Sequence, residues 1–336
     1  MRSLLIKLAT VVSAIVLVLS LSACWGSDSP ASPSGGGSAI AQQGQWPRTI
    51  KHERGETTLD HQPKKIANTA LSVTGTLLAM DAPLKATAAT SPSEVTDSKG
   101  FFNQWAKVAD HKGVGVLYSG LTFDMESLIA QDPDLVIVSV SGADSVSDQY
   151  KRISETFPTI AVDYSKQSWQ DLAKELGHAL GLEKNAEKAI KEFDDYVAKQ
   201  KKKIHPADGG VSIVSYNGPG KEQGIAKTSG PHAKLLNDLG FDVKEAPNGM
   251  DTSRQVRQDF TFISHENLTK GIQGKTVFLF SANDKTVKEF TKDSLVASLP
   301  AVKDQHVYPL GLSSFRLDPY SARDVVDNVV KETNQN

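Results

Sequence analysis

Residues 182–204 read LEKNAEKAIKEFDDYVAKQKKKI, a stretch of 23 residues with no glycine or proline. Apolar side chains recur at Ala186, Ala189, Ile190, Phe193, Val197 and Ile204, spacings that line one face of a helix. Acidic residues lean to the start and lysines crowd the end, as the helix dipole favours. At ~1.5 Å per residue the stretch would reach roughly 34 Å, the height of a domain. Strand and helix patterns alternate on both sides of it. The reading is therefore two α/β lobes joined by one long backbone helix, with the first lobe over residues 46–181 and the second over 205–336.

Before the long helix, Arg48–His52 and Glu56–Asp60 flank Arg54-Gly55 and read as a β-hairpin. Lys65–Asn68 reads as a short strand and Val73–Met80 as a helix. Met125–Gln131 is a second helix, stopped by Asp132-Pro133-Asp134, and Leu135–Val140 is a buried strand. Thr159–Val162 is a strand, and Trp169–Leu180 a helix. After the long helix, Val211–Tyr216, Lys275–Ser281 and His306–Pro309 read as strands. Pro231–Leu239, closed by Gly240, and Asp318–Glu332 read as helices. Such alternation predicts a mostly parallel sheet in each lobe.

The N-terminus reads as an export signal over residues 1–23. Arg2 and Lys7 supply its positive end, and Leu8–Leu21 is almost wholly apolar or small. It closes on Leu21-Ser22-Ala23-Cys24, which resembles the four-residue pattern at which bacterial lipoproteins are cleaved and acylated. Cys24 is the only cysteine of the chain, so the sequence predicts lipidation there and no disulfide elsewhere. Residues 24–45 are rich in Ser, Gly, Pro and Ala and read as a flexible tether. The folded body is thus expected on the extracytoplasmic face of a membrane, held by its lipid.

Lys and Arg number 37 against 39 Asp and Glu, a net charge of −2, so no basic field exists to hold nucleic acid. An anionic ligand must be met by a local basic cluster. The eight histidines are dispersed, with no paired spacing that a resident metal would need. No Gly-x-Ser-x-Gly and no phosphate-binding loop occurs, which argues against a hydrolase and puts ATP hydrolysis in a partner.

Several segments carry a resemblance. They are Trp46–Ile50, residues 68–83 (NTALSVTGTLLAMDAP), Phe102–Ala109, Val277–Phe280, Leu299–Val302 and Phe315–Asp318. In that order and spacing, over residues 46–332, the chain resembles the helical-backbone substrate-binding proteins of ABC importers, and among them those that bind ferric enterobactin. The resemblance implies a monomer that binds a ferric siderophore, with a catecholate first. Another siderophore, haem or cobalamin is the alternative within the same fold, and a secreted siderophore esterase is a distant one. No cofactor is implied, because the siderophore fills the iron's coordination sphere.

A ferric catecholate is strongly anionic with broad aromatic faces, so its site calls for Arg, Lys and aromatic rings. Arg316, beside Phe315 between a strand and the last helix, is the leading candidate, with an ion pair to Asp318 as its structural alternative. Arg257 in the segment Arg254–Asp259 is next. Lys221 and Lys227 flank a glycine-containing segment read as a loop. Tyr216 and Trp105 are candidate ring faces, each weighed against a place in the core. The family carries a tryptophan where Ala226 stands here. The resemblance also implies docking to the permease through one carboxylate per lobe, Glu126 and Glu266, each at a helix start.

Overall fold

A computed structural model describes residues 45–253 and 257–334. Cys24, the export signal and nearly all of the tether lie outside the described residues. A hairpin comes first, β1 (Arg48–His52) and β2 (Gly55–Leu59), paired antiparallel. The first lobe runs β3 (Ile66–Asn68), α1 (Thr74–Ala79), β4 (Leu84–Thr87), α2 (Asn103–His111), β5 (Gly115–Val116), α3 (Met125–Gln131), β6 (Leu135–Ser139), α4 (Tyr150–Ser154), β7 (Thr159–Val162) and α5 (Trp169–Leu180). The connector α6 (Glu183–Lys201) follows. The second lobe runs β8 (Val211–Ser215), β9 (Gln223–Ala226), α7 (Pro231–Asp238), β10 (Phe260–Ile263), α8 (Leu268–Gly271), β11 (Thr276–Leu279), α9 (Asp284–Lys292), α10 (Pro300–Lys303), β12 (Val307–Pro309) and α11 (Pro319–Thr333).

The two lobes share one plan. Their five-stranded sheets have the orders β5-β4-β3-β6-β7 and β10-β9-β8-β11-β12, so each lobe's first strand lies in the middle. The first sheet is parallel throughout. In the second, β9 runs antiparallel to both β8 and β10. Every residue of β6 is buried, as befits a central strand covered on both faces.

The connector has 19 residues, or about 28 Å at the usual rise. Ala186, Phe193 and Val197 form its buried stripe, and the Trp169 ring meets Phe193 edge-on at 5.2 Å. Glu183 in its first turn takes the buried Arg48 guanidinium at 2.5 Å, which ties the hairpin to the connector. One hydrophobic cluster runs from the first lobe through α5 and α6 into the second lobe, and α11 belongs to it. The second lobe has a further cluster around Val277 and Phe290, and the first lobe one around Val136 and Leu128.

Candidate functional site

Loops at the C-terminal ends of the strands bring the two lobes together. After β12 the chain makes a 3-10 turn, Leu312–Phe315, and enters α11. Ser314 in this turn is wholly buried and pinned three ways. Its hydroxyl accepts the Ser281 N–H at 2.7 Å and donates to the Gly311 carbonyl at 2.8 Å. Its carbonyl accepts a hydrogen bond from Nε2 of His232 at 2.6 Å. A carbonyl can only accept, so the proton is on Nε2, and Nδ1 is buried without a partner among the described residues. Burial between Phe280 and Phe260 pushes His232 down to about 4, against the smaller opposing effect of the Ser314 carbonyl.

That pinned turn aims Phe315 and Arg316 at the first lobe. The Phe315 ring meets Phe102, at the start of α2, edge-on at 4.9 Å. The Arg316 guanidinium lies over the Tyr164 ring, 4.0 Å from its centroid, and Nη1 donates to the Tyr164 carbonyl at 3.4 Å. Arg316 has no carboxylate partner among the described residues. The alternative pairing with Asp318 is not formed. Asp318 caps α11 instead, accepting the Tyr320 and Ser321 N–H groups at 2.8 and 2.9 Å, and takes Gln104 of the first lobe at 3.2 Å.

Tyr164 follows β7 and is 5% exposed. Its hydroxyl donates to Asp144, and burial, then the Asp144 charge, pushes the phenol up to about 12, so it stays protonated. The other Asp144 oxygen takes the Ser72 N–H at 2.7 Å. Neither Tyr164 nor Asp144 is a candidate in the sequence reading. The only sequence signal for Tyr164 is an aromatic residue placed two positions beyond a parallel strand.

The other candidates lie apart from this contact or are already engaged. Both oxygens of Asp259 take the Arg257 fork, at 2.8 and 2.6 Å, and the guanidinium also lies 5.5 Å from the Phe262 ring centroid. Lys227 donates to the Arg257 carbonyl at 2.7 Å and pairs with Asp251 at 3.3 Å. Lys221 is exposed in a turn. The segment between the two lysines is not a loop: Gln223–Ala226 is β9, buried between β8 and β10. Ala226 is in that strand and 1% exposed. Tyr216 donates to Asp293 at 2.9 Å and sets its ring edge-on to Phe290, within the second lobe's own cluster. Trp105 is corrected to a core residue, since at 1% exposure against Phe101 and Phe102 it has no face left for a ligand.

Glu126 and Glu266 occupy equivalent places. Each is the second residue of the helical segment between the third and fourth strands of its lobe, Met125–Gln131 in one and the 3-10 turn His265–Asn267 in the other. Both are exposed. Asp124 caps α3 through the Glu126 and Ser127 N–H groups. A surface pocket of about 510 Å³ beside Glu126 is lined by Phe123, Val146, Gln149 and Arg152. A second, of about 500 Å³, lies beyond the C-terminal ends of β4 and β5, lined by Ser91, Lys99, Ser119 and Gly120. Neither includes Arg316. Among the described residues no three His, Cys, Asp or Glu side chains converge as a metal site, and no helix is long and apolar enough to cross a membrane.

Two lobes of one plan on a helical spine, meeting through the loops at their strand ends, define a substrate-binding protein of the helical-backbone class, and the chain belongs to the periplasmic binding protein family, whose profile matches residues 66–312. It is 37% identical over 296 residues to the ferric enterobactin-binding periplasmic protein FepB of Escherichia coli O6:H1, covering 87% of this chain and 93% of that one. It is 29% identical over 325 residues to the iron(3+)-hydroxamate-binding protein FhuD of Bacillus subtilis, covering 94% of each. Among solved structures, holo-ViuP superposes with a TM-score of 0.79 at 39% identity, over 86% of this chain and 96% of that one. The chain is thus a binding protein and not an enzyme.

Proposed function

We propose that the protein is a lipid-anchored extracytoplasmic receptor that binds a ferric catecholate siderophore of the enterobactin type between its lobes and delivers it to an ABC-type iron importer. The likeness to the ferric enterobactin-binding protein over nearly its whole length carries the ligand class. Arg316 supports it: a half-buried guanidinium with no carboxylate partner among the described residues suits a ligand with anionic oxygens. The siderophore holds the iron, so the protein supplies no metal ligand and no cofactor. Lipidation at Cys24 holds the receptor to the membrane, and Glu126 and Glu266 meet the permease. The likeness to a hydroxamate-binding protein favours a ferric hydroxamate as the second reading. Quenching of tryptophan fluorescence by ferric enterobactin, a ferric hydroxamate, haem and cobalamin tests the ligand. Ferric enterobactin should bind at least tenfold tighter than the others, and a hydroxamate or cobalamin of equal affinity overturns the assignment.

A further inference from the structure

We propose that Tyr164 is a positioning residue of the ligand site, a ring braced by Asp144 that holds the Arg316 guanidinium between the lobes without neutralising it. This rests on the ferric-catecholate reading and adds to it a residue of the first lobe.

Topology comes first. The loops after β3 and β6 leave the first sheet in opposite directions, and in open α/β sheets ligands bind in the crevice formed at such a point. Ser72 is in the first loop and Asp144 in the second. The Ser72 N–H and the Tyr164 hydroxyl converge on the two oxygens of Asp144, which is 5% exposed. This is a built site, with a buried carboxylate locking one phenol. Gly142 makes it possible. At φ +83° its backbone suits glycine, and a Cβ there would overlap the Tyr164 hydroxyl.

Charge comes second. Arg257 and Arg316 are contrasting cases of one side chain. Arg257 spends its fork on Asp259, which leaves little for an anion. Arg316 rests on a ring face and its side chain makes a single polar contact among the described residues, at 3.4 Å, so most of its five donors remain open. A carboxylate in place of Tyr164 would hold Arg316 just as firmly but would compete with an anionic ligand. A ring face attracts the cation and leaves its charge available. The Asp144 charge bonds the hydroxyl of Tyr164, not the guanidinium. The arrangement therefore selects for ligands with anionic oxygens at this point.

A mutant cycle tests the proposal. Wild-type protein is first titrated with ferric enterobactin, a ferric hydroxamate and haem. Absence of catecholate binding sinks the ligand reading alone, and the cycle is then run on whichever ferric siderophore binds. A wild type that binds none of them overturns both. Tyr164→Leu should raise Kd about tenfold, and Tyr164→Phe, which keeps the ring, only about two- to fourfold, within the range of a partly desolvated cation–π contact. In the Arg316→Ala background neither change should raise Kd by more than about twofold, because Tyr164 acts through Arg316. Additive losses, or an unchanged Kd in Tyr164→Leu, overturn the proposal. Should Tyr164→Leu fail to fold, Asp144→Asn and Tyr164→Phe carry the same cycle at nearly unchanged volume. A melting temperature that falls while Kd stays at the wild-type value would make the contact a strut between lobes and nothing more.

Discussion

His232 has one ring nitrogen committed to Ser314 and the other buried without a partner among the described residues. Burial is the main obstacle to a second proton: on Nδ1 it would be a buried donor with no acceptor among the described residues, and the Ser314 carbonyl and the Asp259 charge, opposed by the weaker repulsion of Arg316, offset only part of that cost. His232 accordingly stays neutral down to about pH 4, whereas an unfolded histidine takes its proton near 6.5. Between those values the unfolded chain binds more protons than the folded one. Stability is therefore full above pH 6.5 and falls as pH drops towards 4, by up to about 3 kcal/mol from this residue. Urea midpoints of wild type and His232→Gln should diverge across that window, the variant showing the flatter slope. Equal slopes would place the titration elsewhere. The same histidine pins the turn that carries Phe315 and Arg316, so acid should loosen the second lobe's half of the site before the fold as a whole is lost.

At the scale of elements, the start of α11 carries the greatest consequence. Asp318 is its N-cap, Pro319 is its first residue, and Ser321 returns a hydrogen bond to complete a capping box. Asp318 is only 2% exposed, and Gly75 of α1 lies so close that a Cβ there would be 2.7 Å from its carboxyl. Asp318→Ala should lower unfolding free energy by about 1–2 kcal/mol through loss of the cap. It should also weaken ligand binding, because α11 then starts less sharply after Arg316. Asp318→Asn keeps an acceptor and should stay close to wild type in urea melts; equal losses in the two variants would argue against the cap. Elements with a strong local pattern were legible in the sequence. Met125–Gln131 and Trp169–Leu180 fall where the sequence puts them, and the connector expected over 182–204 runs Glu183–Lys201. β9 and β10 were not legible. They are four residues each, and a Cβ on Gly224 would come within 3.1 Å of the Phe260 ring, so pairing in the sheet, not local preference, makes them strands. α9 shows a single buried residue, Phe290, too weak a stripe to read. For the site, Arg316 could be found from its place between a strand and a helix. Tyr164 and Asp144 could not, since they are 20 residues apart, in the loops after β7 and β6, and meet only once those strands pair.

The whole molecule is two copies of one strand order, and that repetition gives Glu126 and Glu266 their equivalent positions. A partner with two matching basic patches would meet both at once. Glu126→Ala with Glu266→Ala should abolish siderophore import in cells while leaving Kd in solution unchanged, and each single change should lower uptake only in part. Wild-type uptake by the double variant would reject docking through these carboxylates. The apolar cluster that runs from one lobe through α6 into the other bears on how fast the receptor works. Wide-open jaws would have to shear packed side chains apart and wet them, so the lobes are confined to a slight rocking about their spine. Capture of a siderophore should then be limited by collision and orientation, with no wait for an open form.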